Sequence, residues 1–155
     1  MDASVAWLAR LTDTEYRGKS WNGKSFRETL GLYSLEQVCS TETFEKFTVW
    51  SVVLHNMYWK WTLLCELGGN APFSYEKKSF PALPEPANQE AWDKTLLESD
   101  AIHDAYLKIL LDVNEADMDR LMPSWDCKVG EAIGWMATHD SYHVAQIRNM
   151  GIPKN

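Results

Sequence analysis

The chain has 155 residues, 45 % of them apolar, and its 15 basic against 22 acidic side chains give a formal charge of −7. A chain of that size is expected to form one globular domain that buries roughly 70 % of its unfolded surface without disulfides. The acidic balance, with no Lys/Arg run longer than Lys77-Lys78, excludes nucleic acid as the main partner, because phosphate binding needs a basic surface.

Residues 2–17 place Val5, Trp7, Leu8 and Leu11 near helical spacing, and Gly18 is a fitting stop. Asp2, Arg10, Asp13, Glu15 and Arg17 in this stretch leave no signal-peptide core. No apolar run reaches the roughly 18 residues of a membrane span, so a cytoplasmic protein without membrane contact is expected. Residues 19–46 read as a structured connection with short helical turns, in which Ser34 and Gln37 have capping-box spacing. The second helix is predicted from about Thr48 to Leu67; it is apolar around most of its circumference, as in a helix buried on several sides or at a homodimer interface. Residues 68–87, with Gly68, Gly69 and four prolines, interrupt the helical pattern. Asn88 would cap the third helix, whose stripe is Trp92, Leu96, Ser99, His103, Tyr106, Leu110 and Val113. The fourth spans about Lys128 to Met150, with Val129, Ala132, Met136, His139, His143, Gln146 and Met150 on one face and Gly151 and Pro153 ending it. No segment shows strand alternation with hairpin signals. The fold class is therefore all-α, most simply a four-helix bundle. An extended 20-residue connection reaches ~66 Å and a 20-residue helix is ~30 Å long, so the break can return the chain and let the second and third helices run parallel.

His139 and His143 are four residues apart, so both imidazoles lie on one helical face within reach of one divalent cation. The alternative is a pair of partly buried histidines bonded to their neighbours. His55 strengthens the metal reading. If the second and fourth helices are antiparallel, all three histidines lie ~10 to 16 Å from the same end of the bundle; if parallel, His139 and His143 are ~7 to 12 Å too far along the axis. Three imidazoles without a fourth protein ligand are the pattern of a catalytic site with an open position. Cys127 and Cys65 stand ~18 and ~15 Å along their helices from the nearest of these histidines and are poor ligands. With Cys39 they read as reduced, mostly buried thiols. His103, on the inner stripe of the third helix, is expected in the core or behind the ligands. Asp140 occupies a position like the glutamate of HExxH; it is a candidate to orient an imidazole or act as general base, against the plain reading of a solvated carboxylate. Gln146 shares the histidine face and is a candidate donor to a ligand. Trp59, one turn from His55, and Trp50, near the same end, are the tryptophans expected to wall an apolar substrate pocket.

The same residues carry a resemblance to the DinB-like (YfiT-type) superfamily of four-helix metalloproteins. It spans nearly the whole chain: Trp50 to Trp59 with His55, the His139-Asp-Ser-Tyr-His143-Val-Ala-Gln146-Ile run, and Ser20 to Ser25 between the first two helices. The last run is the most specific. The resemblance implies an up-down-down-up bundle with the long crossover between the second and third helices, and a metal triad of His55, His139 and His143. It also implies enzymes that resemble thiol-dependent S-transferases or isomerases, with other members proposed as metal-dependent hydrolases. Asn22 and Lys128 depart from the related pattern, and Asp126 is the expected substitute cap for the fourth helix.

The expected function is thiol-dependent transfer to a small electrophile, with zinc or nickel held by the triad and a low-molecular-weight thiol as co-substrate. The alternatives are a small-molecule hydrolase on the same ion and a non-enzymatic stress or interaction protein with a structural metal. The expected partners are a small-molecule substrate and a second copy of the chain.

Overall fold

A computed structural model describes residues 3–75 and 78–152. Among the described residues, seven helices and one short hairpin follow in order: α1 (Ala3–Arg17), α2 (Phe26–Leu30), α3 (Leu35–Cys39), α4 (Val49–Glu66), α5 (Gln89–Leu110), α6 (Glu115–Met118), β1 (Leu121–Met122), β2 (Cys127–Lys128) and α7 (Val129–Asn149). The chain is mostly helical, as its periodicity requires. The strands pair antiparallel, Leu121 opposite Lys128 and Met122 opposite Cys127. Two residues per strand are too few to print an alternation on the sequence, which is why this hairpin escapes a reading by pattern.

Helix boundaries follow local chemistry. The Thr48 and Asn88 side chains accept hydrogen bonds from the Ser51 and Ala91 backbone N–H groups and start α4 and α5. Ser34 and Gln37 form the expected reciprocal box at α3, and Ser25 with Glu28 forms a second at α2. At α7 the expected cap is different. Asp126 sits at φ 48° in the turn before the helix, and the Lys128 backbone N–H is taken instead by the Glu131 carboxylate at 2.8 Å. The chain leaves α1 through Gly18, where a Cβ would lie 2.8 Å from Thr14 Cα, and leaves α7 through Gly151 at φ 73°. Pro153 lies outside the described residues.

Four long helices make the framework. α1 packs on α7 and α5, and α4 packs on α5 and α7. Their inward faces form two apolar clusters. One joins Tyr16, Trp50, Val53, Met57, Ile102, Val144 and Ile147; the other joins Val5, Leu63, Leu64, Tyr106, Leu110, Val129 and Ile133. α4 buries eleven of its residues, from Val49 to Leu64. The apolar circumference that suggested a subunit interface is thus largely spent on contacts within the chain. α1 departs from its apolar spacing: its buried face is Val5, Thr12, Glu15 and Tyr16, while Trp7 and Leu11 face outward. Tyr16 and Glu15 are turned inward by buried polar partners, with the Tyr16 hydroxyl bonded to Ser99 and Asp100 and Glu15 accepting from Ser20 and Ser141. Among the described residues no helix is long and apolar enough to cross a membrane.

Candidate metal centre

α4 and α7 bring His55, His139 and His143 together, with one ligand nitrogen from each lying within 4.8 Å of the others. The His139 and His143 Nε2 atoms are 3.0 Å apart, and the His55 ring centroid lies 5.8 and 5.0 Å from theirs. Two imidazoles bound to one ion by ~2.1 Å bonds place their nitrogens roughly 3.0–3.4 Å apart, so the α7 pair already has ligand spacing.

Hydrogen bonds decide which nitrogen each ring presents. His55 Nδ1 is 2.7 Å from the Ser79 carbonyl oxygen, which can only accept, so Nδ1 carries the proton and Nε2 keeps its lone pair. The Ser79 hydroxyl is in turn bonded by the Trp59 indole N–H at 3.1 Å. His143 Nδ1 is 2.8 Å from Gln146 Oε1, and the Gln146 amide is turned that way because its Nε2 donates to the Glu45 carboxylate. His143 therefore also presents a bare Nε2. His139 Nδ1 is buried with no hydrogen-bond partner among the described residues. His139 must then donate its Nε2 proton to His143 or leave two lone pairs 3.0 Å apart. A cation among the three Nε2 atoms removes that conflict and frees the His139 proton for Nδ1. On donor chemistry and on the two Nε2 atoms that face each other at 3.0 Å, the residues fit a divalent ion of the class that imidazole ligands favour, which includes zinc and nickel.

Electrostatics agree. Burial, together with the neighbouring His143 and Lys60, lowers the His139 pKa to about 3, and burial lowers that of His143 to about 4 against the support of Gln146. His55 is lowered by burial, opposed by its bond to Ser79. All three rings are neutral near pH 7, the state a metal requires.

The other expected site residues divide. Gln146 stands beside the triad, as an acceptor for His143 instead of a donor to a ligand. Trp59 is also there, its ring centroid 6.3 Å from that of His55. Trp50 is not: it is fully buried, bonded through Nε1 to Thr95 and packed edge-on against Trp92. Five residues before His55 on α4, it is rotated ~140° from the ligand face and points into the core. Asp140 is likewise turned away from the imidazoles, since one residue of helix rotates it ~100° from His139. It is neither solvated nor near a ligand as a base. Its carboxylate accepts from Lys60 Nζ at 2.9 and 3.0 Å and from Asn56 Nδ2 at 2.9 Å, with Lys60 and Asp140 both buried. His103 belongs to this second cluster, outside the triad. Its Nδ1 faces Lys60 Nζ at 3.2 Å, its Nε2 faces Asp13 at 3.1 Å, and it stacks on Tyr16. Of the three free thiols only Cys127 is buried; Cys39 is half-buried and Cys65 exposed, because position 65 falls on the outward side of α4.

Two contributors were invisible in the sequence and a third, Lys60, was missed. Ser79 and Phe80, which stacks on His55 at 4.2 Å, come from the interrupted segment, where no periodicity marks a residue. Lys60 did carry a signal: a single cation inside an apolar helix must find a buried partner. Comparison of the chain with known family models, curated proteins and solved structures gave no match.

Proposed function

We propose that the protein is a metal-dependent enzyme of the DinB-like kind, in which His55, His139 and His143 hold one divalent ion, zinc or nickel, and a small electrophile is attacked by a low-molecular-weight thiol. The observation that carries the reading is the convergence of three neutral imidazoles whose tautomers are set by Ser79 and Gln146. The proposal includes the architecture: an up-down-down-up four-helix bundle of α1, α4, α5 and α7, with α4 antiparallel to α7. The grouping of Trp50 and Val53 in one cluster with Val144 and Ile147, and of Leu63 and Leu64 in the other with Val129 and Ile133, supports it.

When bound by these three neutral imidazoles, a divalent ion would lower the pKa of a thiol or water at its open position. The chain's own residues do the rest. Ser79 and Gln146 hold two rings in the productive tautomer, and Glu45 orients Gln146. Phe80, stacked on His55, excludes water from one side of the site, and Phe47 stacks on Phe80 behind it. Among the described residues no carboxylate is bonded to the three imidazoles of the triad, and Asp140 is engaged by Lys60 and Asn56. A nucleophile that needs no separate base, such as an acidified thiol, suits this site better than one that must lose a proton to a side chain.

The test is metal content of untagged protein, wild type beside His139→Ala. Wild type is expected to carry about one equivalent of zinc or nickel and the variant little; an equal, near-zero load in both defeats the reading. Thiol dependence is tested by turnover of electrophiles and esters with and without added thiol. Ester hydrolysis that ignores the thiol would move the reaction to water as nucleophile.

A further inference from the structure

Beside the triad, on the far side of Trp59, lies a cleft of about 670 Å³ walled by Tyr58, Trp59, Trp61 and Trp125 and edged by Glu66. It sits between α4 and the loop joining β1 to β2. Among the described residues its lining holds one carboxylate, Glu66, and no lysine or arginine. The ring planes meet at steep angles: Trp59 with Trp125 at 83° and Tyr58 with Trp59 at 76°, while Tyr58 and Trp61 are tilted by 40°.

Those angles decide what the cleft suits. A flat aromatic ligand needs two parallel faces to slot between, and none of these ring pairs is parallel. Rings set edge-to-face line the cleft with surfaces at steep angles to one another, a wall that suits a rounded group touching several rings at once. The negative faces of indole and phenol rings attract a cation, and methylation removes the hydration shell that would keep an ammonium in water. The Glu66 carboxylate at the edge adds charge of the complementary sign, within a chain of net charge −7.

We infer that this cleft binds a methylated ammonium group, which makes the substrate of the adjacent metal centre a small molecule with a cationic head. Trp59 is the shared wall: it contacts the cleft with its ring and reaches His55 through Ser79. The substrate assignment rests on the proposed metal function, but the binding of the cation does not need the ion.

The probe is choline, compared with 3,3-dimethyl-1-butanol, which has the same shape without the charge, in calorimetric titration and in quenching of tryptophan fluorescence. Metal-loaded and chelator-treated protein are both titrated. Choline is expected to bind saturably and roughly 2- to 30-fold more tightly than its neutral isostere, in both preparations. Trp125→Leu should weaken choline roughly tenfold and leave the isostere less affected. Glu66→Gln, at an exposed position that does not support the fold, should weaken choline several-fold and the isostere not at all. Equal affinity for choline and the isostere, no saturable binding of choline, or choline affinity unmoved by both substitutions would overturn the inference. Choline binding in a protein that takes up no metal would retain the cleft and sink only the metal reading.

Discussion

Gln146 shows how much of the candidate site rests on a residue outside the metal triad. Its amide oxygen accepts the His143 Nδ1 proton, and its own orientation is set by Glu45. Replacing it by leucine keeps the volume and removes the acceptor, so His143 loses the bond that holds its Nε2 bare. Gln146→Leu is expected to lower metal affinity roughly 10- to 100-fold, read by competition with a chromophoric chelator, while Gln146→Glu retains most of it. An unchanged affinity in the leucine variant would mean that the tautomer is set elsewhere. The spacing of Gln146 from His143 was legible in the sequence, but its role was not, because spacing puts two side chains on one face without saying which atom donates.

At the level of elements, α4 and α7 are joined by more than apolar contact. Lys60 and Asp140 meet between the two apolar clusters, with Asn56 and His103 completing their bonds. Burial pulls the Lys60 ammonium pKa down, against the pull of the Asp140 carboxylate. The Tyr16 ring, 4.3 Å from Nζ, supports the charge from α1. Removing one partner strands the other's charge in the interior. Lys60→Met or Asp140→Leu alone is therefore expected to cost about 3–5 kcal/mol in urea denaturation, and the double variant clearly less than the sum of the two. Additive costs would show that the two groups do not depend on each other. The pair also explains why Asp140 fails as a base beside the histidines: the rotation that puts His139 and His143 on the ligand face puts Asp140 on the core face. The four long helices were readable to within about three residues because caps and periodicity are local, although the stripe expected on α1 put Trp7 and Leu11 on the wrong side. α6 and the β1–β2 hairpin were not, being too short to show a period.

For the whole molecule, the buried histidines link stability to pH. His143 and His139 titrate at about 4 and about 3 in the folded chain, His103 is also pushed down by burial, and all would titrate near 6.5 when unfolded. Below pH 6.5 the unfolded chain takes up protons that the folded chain refuses. Stability therefore falls as the pH drops below about 6.5, the His143 share down to about 4 and the His139 share down to about 3, and above 6.5 these groups contribute no slope. In chelator-treated protein, His143→Gln should make that decline shallower by up to about 1.4 kcal/mol per pH unit, measured by urea denaturation between pH 7 and 4.5. Parallel pH profiles for wild type and variant would contradict a neutral, buried His143.

Local signals in the chain were enough for the helical class, the long helices, the break at 68–87 and the placing of His139 and His143 on one face, because helical period, capping and i,i+4 spacing are properties of neighbours in sequence; adding His55 took an assumption about how two helices run past each other. The tertiary structure alone decided which groups face one another across helices. It put Trp50 in the core and Trp59 at the site, paired Asp140 with Lys60, and brought Ser79 from an irregular segment onto His55. Those outcomes depend on the rotation of each helix about its axis and on the path of an aperiodic connection. Both are settled by packing and by the need to satisfy buried polar atoms, which no single segment encodes.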